Sequence, residues 1–149
     1  MNKKILLIIV LICSSKNIIA SDIFITINET QKNIKSVNVN GNIFVNYEQF
    51  FKLLNENLKI SSNNYNLSYK NIKITAYPMN FYVLLSNDTN ECIIQLNTPI
   101  YVAQDILYIP INSLLSALKE FFGISYDILR NEIYIDFGNV IHGVPPALL

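Results

Sequence analysis

Two stretches of the chain carry the same punctuation. Residues 106–127, ILYIPINSLLSALKEFFGISYD, read as a short apolar strand, a proline, an amphipathic helix, a glycine and a second strand. Residues 43–62, IFVNYEQFFKLLNENLKISS, echo that order. An offset of 64 residues places Phe44, Val45, Asn46 and Tyr47 on Tyr108, Ile109, Pro110 and Ile111. It also places Phe50, Phe51 and Leu54 on Leu114, Leu115 and Leu118, and Leu58 and Ile60 on Phe122 and Ile124. After a three-residue excess in the first stretch, Ile72 and Ile74 meet Ile133 and Ile135. The equivalence lies in apolar register rather than in matching letters. A pattern that switches from period 2 to period 3.6 and back needs strands and helices around one core. The chain is therefore expected to consist of two related β-helix-β-β units at about 34–75 and 98–137.

The local chemistry of each unit supports those elements. Ile106–Ile109 is a β-rich run that Pro110 ends by removing a ladder donor. Asn112 or Ser113 can cap the helix that follows, whose apolar face is Leu114, Leu115, Leu118, Phe121 and Phe122. Gly123 supplies the left-handed residue that stops it. Strands are expected at Ile124–Tyr126 and Glu132–Phe137, with a turn at Asp127–Asn131. In the first unit Asn40-Gly41 marks a hairpin between Ile34–Val39 and Ile43–Val45, and the helix runs from about Tyr47 to Asn57. Between the units, Tyr77–Leu85 alternates with Phe81, Val83 and Leu85 on one side, and Pro78 keeps its start near an edge. The polar SNDTN turn then leads into Cys92–Leu96. The tail 138–149 has Gly and Pro punctuation without periodicity and is expected outside the sheet.

The first twenty residues read as a secretory leader. Met1–Lys4 is basic, Ile5–Cys13 is apolar, and a polar stretch precedes Ile18-Ile19-Ala20. The apolar run is too short to span a bilayer. Cleavage is expected after Ala20, with Ser21 opening the mature chain. A lipid anchor at Cys13 is the alternative; VLIC resembles a lipobox, but Ile12 stands where a small residue is wanted. Loss of Lys3, Lys4 and Lys16 leaves 8 basic against 11 acidic residues, a net of −3. Such a surface gives no electrostatic reason to bind nucleic acid, and no later segment is long and apolar enough for a membrane helix. Cys92 then has no internal disulfide partner, and its alternation with Ile94 and Leu96 predicts a buried strand position.

The second unit resembles the repeat of the copper amine oxidase N-terminal-like domain. That pattern runs strand, Val-Pro-Leu, a helix ending in Gly, then two strands. Ile109-Pro110-Ile111 takes the place of Val-Pro-Leu, Leu114, Leu115 and Leu118 the helix core, Gly123 the stop, and Ile133 and Ile135 the closing strand. QLNTPIYVAQDILYIPI is similar to the extended segment before it. Asn112 stands where the family usually carries a basic residue, and Asn46 replaces the proline in the first unit. The resemblance covers residues 23–137 and implies a domain at 21–137 with an α+β fold, an antiparallel sheet packed on two helices, exported or on the cell surface, as a non-catalytic accessory. The oxidase's catalytic domain, its cofactor-forming tyrosine and its three copper-binding histidines have no counterpart here.

Reactive groups are sparse. His142 is the only histidine, and with Cys92 it cannot make up the ligand count of a dedicated metal site. No motif sets it against a serine or cysteine for nucleophilic catalysis. Asp105, Asp127, Glu132 and Asp136 fall at turns or exposed strand positions. With 4 glycines there is no phosphate loop, and residues 86–91, SNDTNE, lack the glycine and ligand spacing of a calcium loop. No cofactor is called for. The sequons at Asn28, Asn66 and Asn87 carry no weight in a bacterial host. Tyr82, Tyr101 and Tyr134 alternate with core positions and are the candidate binding face, against the plainer reading that tyrosine completes half-buried strands. The expectation is a secreted or cell-envelope, non-enzymatic structural or interaction domain. Its partner would be an envelope protein or wall glycan. The rival is a carbohydrate- or peptide-binding module using that tyrosine face.

Overall fold

The computed structural model describes residues 18–27, 29–61 and 65–136, except for the side chains of Phe121 and Phe122. The chain opens with a meander of β1 (Ile18–Ile27), β2 (Thr30–Val39) and β3 (Asn42–Asn46), which runs directly into α1 (Tyr47–Leu54). Then follow β4 (Lys59–Ile60), β5 (Asn66–Tyr69), β6 (Ile72–Ala76), β7 (Tyr82–Ser86) and β8 (Glu91–Gln95). The hairpin β9 (Tyr101–Ala103) and β10 (Ile106–Pro110) runs into α2 (Ile111–Phe122), and β11 (Ser125–Leu129) and β12 (Glu132–Asp136) close the described chain.

The fold is mixed α+β, mostly strand, with two helices. Where one antiparallel sheet was expected, the strands form two. One has seven strands in the order β11-β12-β1-β2-β3-β10-β9, and the other five in the order β4-β5-β6-β7-β8. Nor is the larger sheet wholly antiparallel, because β1 and β12 pair in parallel. The split has a simple cause. After α1 the chain does not rejoin β3 but starts a new meander, whose apolar side chains enter the same core. A single cluster results, with Ile23, Ile25, Ile34, Val45, Ile109, Ile133 and Ile135 from one sheet. Leu67, Ile74, Val83, Leu85 and Ile94 come from the other, and Phe50, Phe51, Leu114, Leu115 and Leu118 from the two helices.

β3 and β10 pair antiparallel with Val45 directly opposite Ile109, flanked by Phe44–Pro110 and Asn46–Tyr108. Val45 and Ile109 are also the residues that the 64-residue offset superposes. The two hairpins that follow the helices have different neighbours: β6 lies antiparallel to β7, whereas β12 lies parallel to β1.

The two helices start differently. Asn46 caps α1, its side-chain oxygen accepting the Gln49 N–H at 2.9 Å. Pro110 holds the equivalent place before α2 and provides no side-chain cap. The expected caps are corrected here: α2 already begins at Ile111, so Asn112 and Ser113 lie inside its first turn. Gly123 ends α2 in the left-handed region at φ +66°, donating its N–H to the Lys119 carbonyl. The Asn40-Gly41 turn has φ values of +53° and +85°, as a two-residue hairpin of the mirror-image type requires. α1 stops three residues short of the expected Asn57, because the Asn55 backbone is already extended. The turn before β12 is Arg130–Asn131, so β11 runs longer than the sequence reading allowed. The four most buried polar side chains all find partners: Ser36 with Ser21, Asn46 with Gln49, Thr75 with Asn66, and Ser113 with Asn97.

Tyr47 sits fully buried at the base of the core, its hydroxyl donating to the Ile74 carbonyl at 2.8 Å. Burial pushes its phenol well above the usual value near 10, opposed in part by a backbone hydrogen bond at Leu67. An unfolded phenol ionises at its ordinary pKa while the folded one keeps its proton. The stabilisation is therefore complete below pH ~10 and declines above it, by up to about 1.4 kcal/mol per pH unit. Urea unfolding as a function of pH reads that slope, and Tyr47→Phe removes it. Capping gives a second contrast: Asn46→Ala costs about 1 kcal/mol, whereas Asn112→Ala stays within about 0.5 kcal/mol.

Candidate functional site

Residues 60–69, 74–87 and 92–104 contain no Asp, Glu, Lys or Arg. They supply β5, the β6–β7 connection with β7, and β8 with the segment after it. The five-stranded sheet is thus almost free of charge at the end that carries the β6–β7 connection.

That connection, Tyr77–Phe81, is rigidly held. The Met79 N–H donates to the Ile100 carbonyl at 3.0 Å, and the Ile100 N–H donates to the Asn80 carbonyl at 2.8 Å. The Leu96 N–H reaches the Phe81 carbonyl at 2.7 Å. Ile100 and Leu96 are themselves buried, so the loop is anchored to the core by its backbone. Met79 sits at φ +62°, a left-handed conformation that costs a side-chain-bearing residue about 1 kcal/mol. Its side chains point the other way: Met79 is 70% exposed and Phe81 47%, and Tyr77 and Tyr82 are exposed too. The Tyr77 ring leans on that of Tyr65 with centroids 5.6 Å apart. On β7 and β8, Tyr82 lies opposite Gln95 and Leu84 opposite Ile93, which carries this apolar surface to the sheet's edge; Ile93 is 60% exposed.

Beyond Ile93 the edge of β8 meets α2 across a groove of about 370 Å³. Ile93, Gln95 and Asn97 form one wall; Asn112, Ser113 and Ser116 are on the other, and Glu120 is its sole charged lining residue. The walls are tied together where Ser113 Oγ donates to Asn97 Oδ1 and accepts the Asn97 N–H. An aromatic ledge leading into an amide-lined groove can offer flat apolar contact and hydrogen bonds to a partner.

The tyrosines singled out from sequence do not come together. Tyr82 belongs to the ledge. Tyr101 lies on β9, half-buried against Phe44 with centroids 6.2 Å apart, as part of a second cluster with Val37 and Tyr108. Tyr134 is on β12, toward the opposite edge of that seven-stranded sheet. Its hydroxyl donates to Glu132 Oε2 at 2.6 Å, and that bond, the Glu132 charge, slight desolvation and the Asp127 charge hold its proton on. Tyr134, Asp127 and Asp136 line a shallow cavity of about 740 Å³ with Thr26 and Glu29, while Asp105 sits apart in the β9–β10 turn. Among the described residues no three His, Cys, Asp or Glu side chains are grouped to hold a metal. Cys92 is half-buried rather than buried, and desolvation raises its thiol pKa. Residues 86–91 do form a hairpin turn, with Asn87 Oδ1 accepting the Thr89 and Asn90 N–H groups. Ala20 and Ser21 lie within β1. Cys13, Asn28 and His142 fall outside the described residues.

Sequence reasoning missed Tyr77, Met79 and Ile93 and misplaced Phe81. The strand begins at Tyr82, so Phe81 drops out of the Val83–Leu85 alternation onto the surface, and Pro78 lies in a turn ahead of a strand that is interior to its sheet. The uncharged run from 74 to 87 was the available signal. No family model matches the chain, nor does any curated protein or solved structure.

Burial separates the ledge from its anchor energetically. Met79→Asp and Phe81→Ser should each change unfolding stability by less than about 0.5 kcal/mol. Ile100→Ala, beneath them, should cost about 2–5 kcal/mol in the same denaturation measurement.

Proposed function

We propose that the chain is an exported, non-catalytic interaction domain of the bacterial cell envelope, related to the accessory domain named above. Its working surface would be the uncharged ledge and the adjoining groove, running from Tyr77 and Met79 through Tyr82 and Ile93 to Asn97 and Asn112. One observation carries the reading: apolar side chains are exposed on a loop whose backbone is anchored by three hydrogen bonds to buried segments. A rigid loop that pays for a left-handed methionine and for exposed aromatic surface is better suited to contact than to mere connection. Envelope proteins and neutral wall glycan are both compatible partners, and the amide-lined groove favours the glycan reading over a purely apolar protein contact. The register of Val45 on Ile109 supports the two-unit origin, since a two-fold related pair of units would place equivalent residues opposite one another.

The reading is tested by co-sedimentation of the secreted protein with isolated envelopes and with purified wall glycan. Tyr82→Ala with Ile93→Lys should lower binding at least tenfold while leaving the unfolding transition in place. Binding to glycan alone that these changes abolish selects the carbohydrate module; binding that needs envelope protein selects the scaffold. Binding to both preparations that the double variant leaves unchanged would rule the surface out.

A further inference from the structure

Among the described residues the larger sheet ends on β11 and β9, and the smaller on β4 and β8. β4 is two residues long and carries Lys59, and β9 is three residues long. β11 matches β8 in length but holds Asp127 at its centre. Short strands and charges are how sheet edges avoid pairing with other chains. β8 lacks such protection: it has no lysine or proline, its register against β7 runs without a bulge, and its central Ile93 is 60% exposed. The ladder also fixes which of its backbone groups are unused. The Leu96 N–H donates to the Phe81 carbonyl and the Asn87 N–H to the Asn90 carbonyl. Alternate residues of an antiparallel strand bond to one neighbour, so Cys92 and Ile94 face β7. Glu91, Ile93 and Gln95 then turn their N–H and C=O groups to the open edge. There a groove of about 370 Å³ separates β8 from α2, leaving room for an incoming strand.

The geometry points to a second copy of this chain as the occupant, its β8 added antiparallel across a two-fold axis at Ile93. Such an axis sets Ile93 against its counterpart and Glu91 against Gln95, and each of these pairs exchanges both N–H···O bonds. The strand is self-complementary in this register. Its one acid, Glu91, meets a neutral amide that can donate to it rather than its own copy. The same operation on β11 would set Asp127 against Asp127. Leu84 lies opposite Ile93 on β7, so these two and their copies form one row across the seam. The two five-stranded sheets become one, and the two ledges share a surface. A seam of this length buries less than a standard interface of roughly 1,600 Å², so the pair is weak, with a Kd of about 10 µM–1 mM.

Sedimentation velocity of the purified protein across that concentration range tests the pairing. A monomer should pass into a dimer as concentration rises. Ile93→Lys sets two ammonium groups together at the axis and should weaken the dimer at least about tenfold, with the urea unfolding transition left in place. Position 95 reads the register. Gln95→Lys, opposite Glu91, should tighten the dimer about three- to tenfold, and Gln95→Glu should loosen it by a similar factor. A monomer at every concentration, including one in which residues 138–149 cover β8, overturns the inference. So does a dimer indifferent to Ile93→Lys, or one that the two changes at Gln95 fail to shift in opposite directions. Neither envelope nor glycan is present in the cell, so each of these results leaves the binding role proposed above intact.

Discussion

The pairing of β3 with β10 is the joint on which the rest of the structure depends. Each of these strands runs straight into a helix, and each lies between a hairpin partner on one side and the other strand on the other. Fixing Val45 opposite Ile109 therefore fixes where α1 and α2 start. The helices then face one another's strands: α1 packs on β2, β3 and β10, and α2 on β3, β10 and β11. Among the described residues the five-stranded sheet shares no strand ladder with the larger one. Its contribution to the common core is Leu67, Ile74, Val83, Leu85 and Ile94, with α2 also packing on β8 and the Tyr47 hydroxyl bonded to the Ile74 carbonyl. Hydrophobic burial of that kind is non-directional, so the ladder sets the geometry and the core closes around it.

Charge is distributed unevenly over this frame, and the unevenness bears on function. Asp127, Glu132 and Asp136 gather on the β11–β12 hairpin, and Glu29 lines the same cavity as Asp127 and Asp136, a placement that favours solvation and keeps like molecules apart. Lys70 and Lys73 lie at the turn end of β5 and β6, away from the aromatic ledge at the other end. The ledge is left uncharged, and Glu120 is the one charged residue that lines the groove. A neutral surface neither attracts counter-ions nor steers charged ligands; what it gives a partner is contact area and the matching of uncharged hydrogen bonds.

Much of the fold was legible because local rules agreed with it. Leu114, Leu115 and Leu118 at helical spacing, Gly123 as a stop, and Asn40-Gly41 as a turn each act within a few residues, and each appears where it was read. What was not legible depended on distant partners. Nothing near β12 announces that it will lie parallel to β1, more than a hundred residues earlier. The alternation of Ile23, Ile25 and Ile27 was a readable strand signal, but the register that carries β1 back through Ile18 depends on β2. Asn46 and Pro110 stand at equivalent positions, yet one caps its helix by side chain and the other by none, a difference letters at single positions do reveal once the helix starts are known. The ledge escaped notice because a strand was extended back through Tyr77, when Pro78 and the left-handed Met79 break it. Reading the loop as strand buried on paper the residues that it exposes.

The claim most open to direct test is that the β3–β10 joint makes the described chain one cooperative body. Urea unfolding of Val45→Ala, Ile109→Ala and the double variant forms a cycle around that contact. The account predicts a single transition in all three and a coupling of about 0.5–1 kcal/mol between the two substitutions. Additive effects within experimental error, or two separate transitions for the parts before and after the β6–β7 loop, would contradict it.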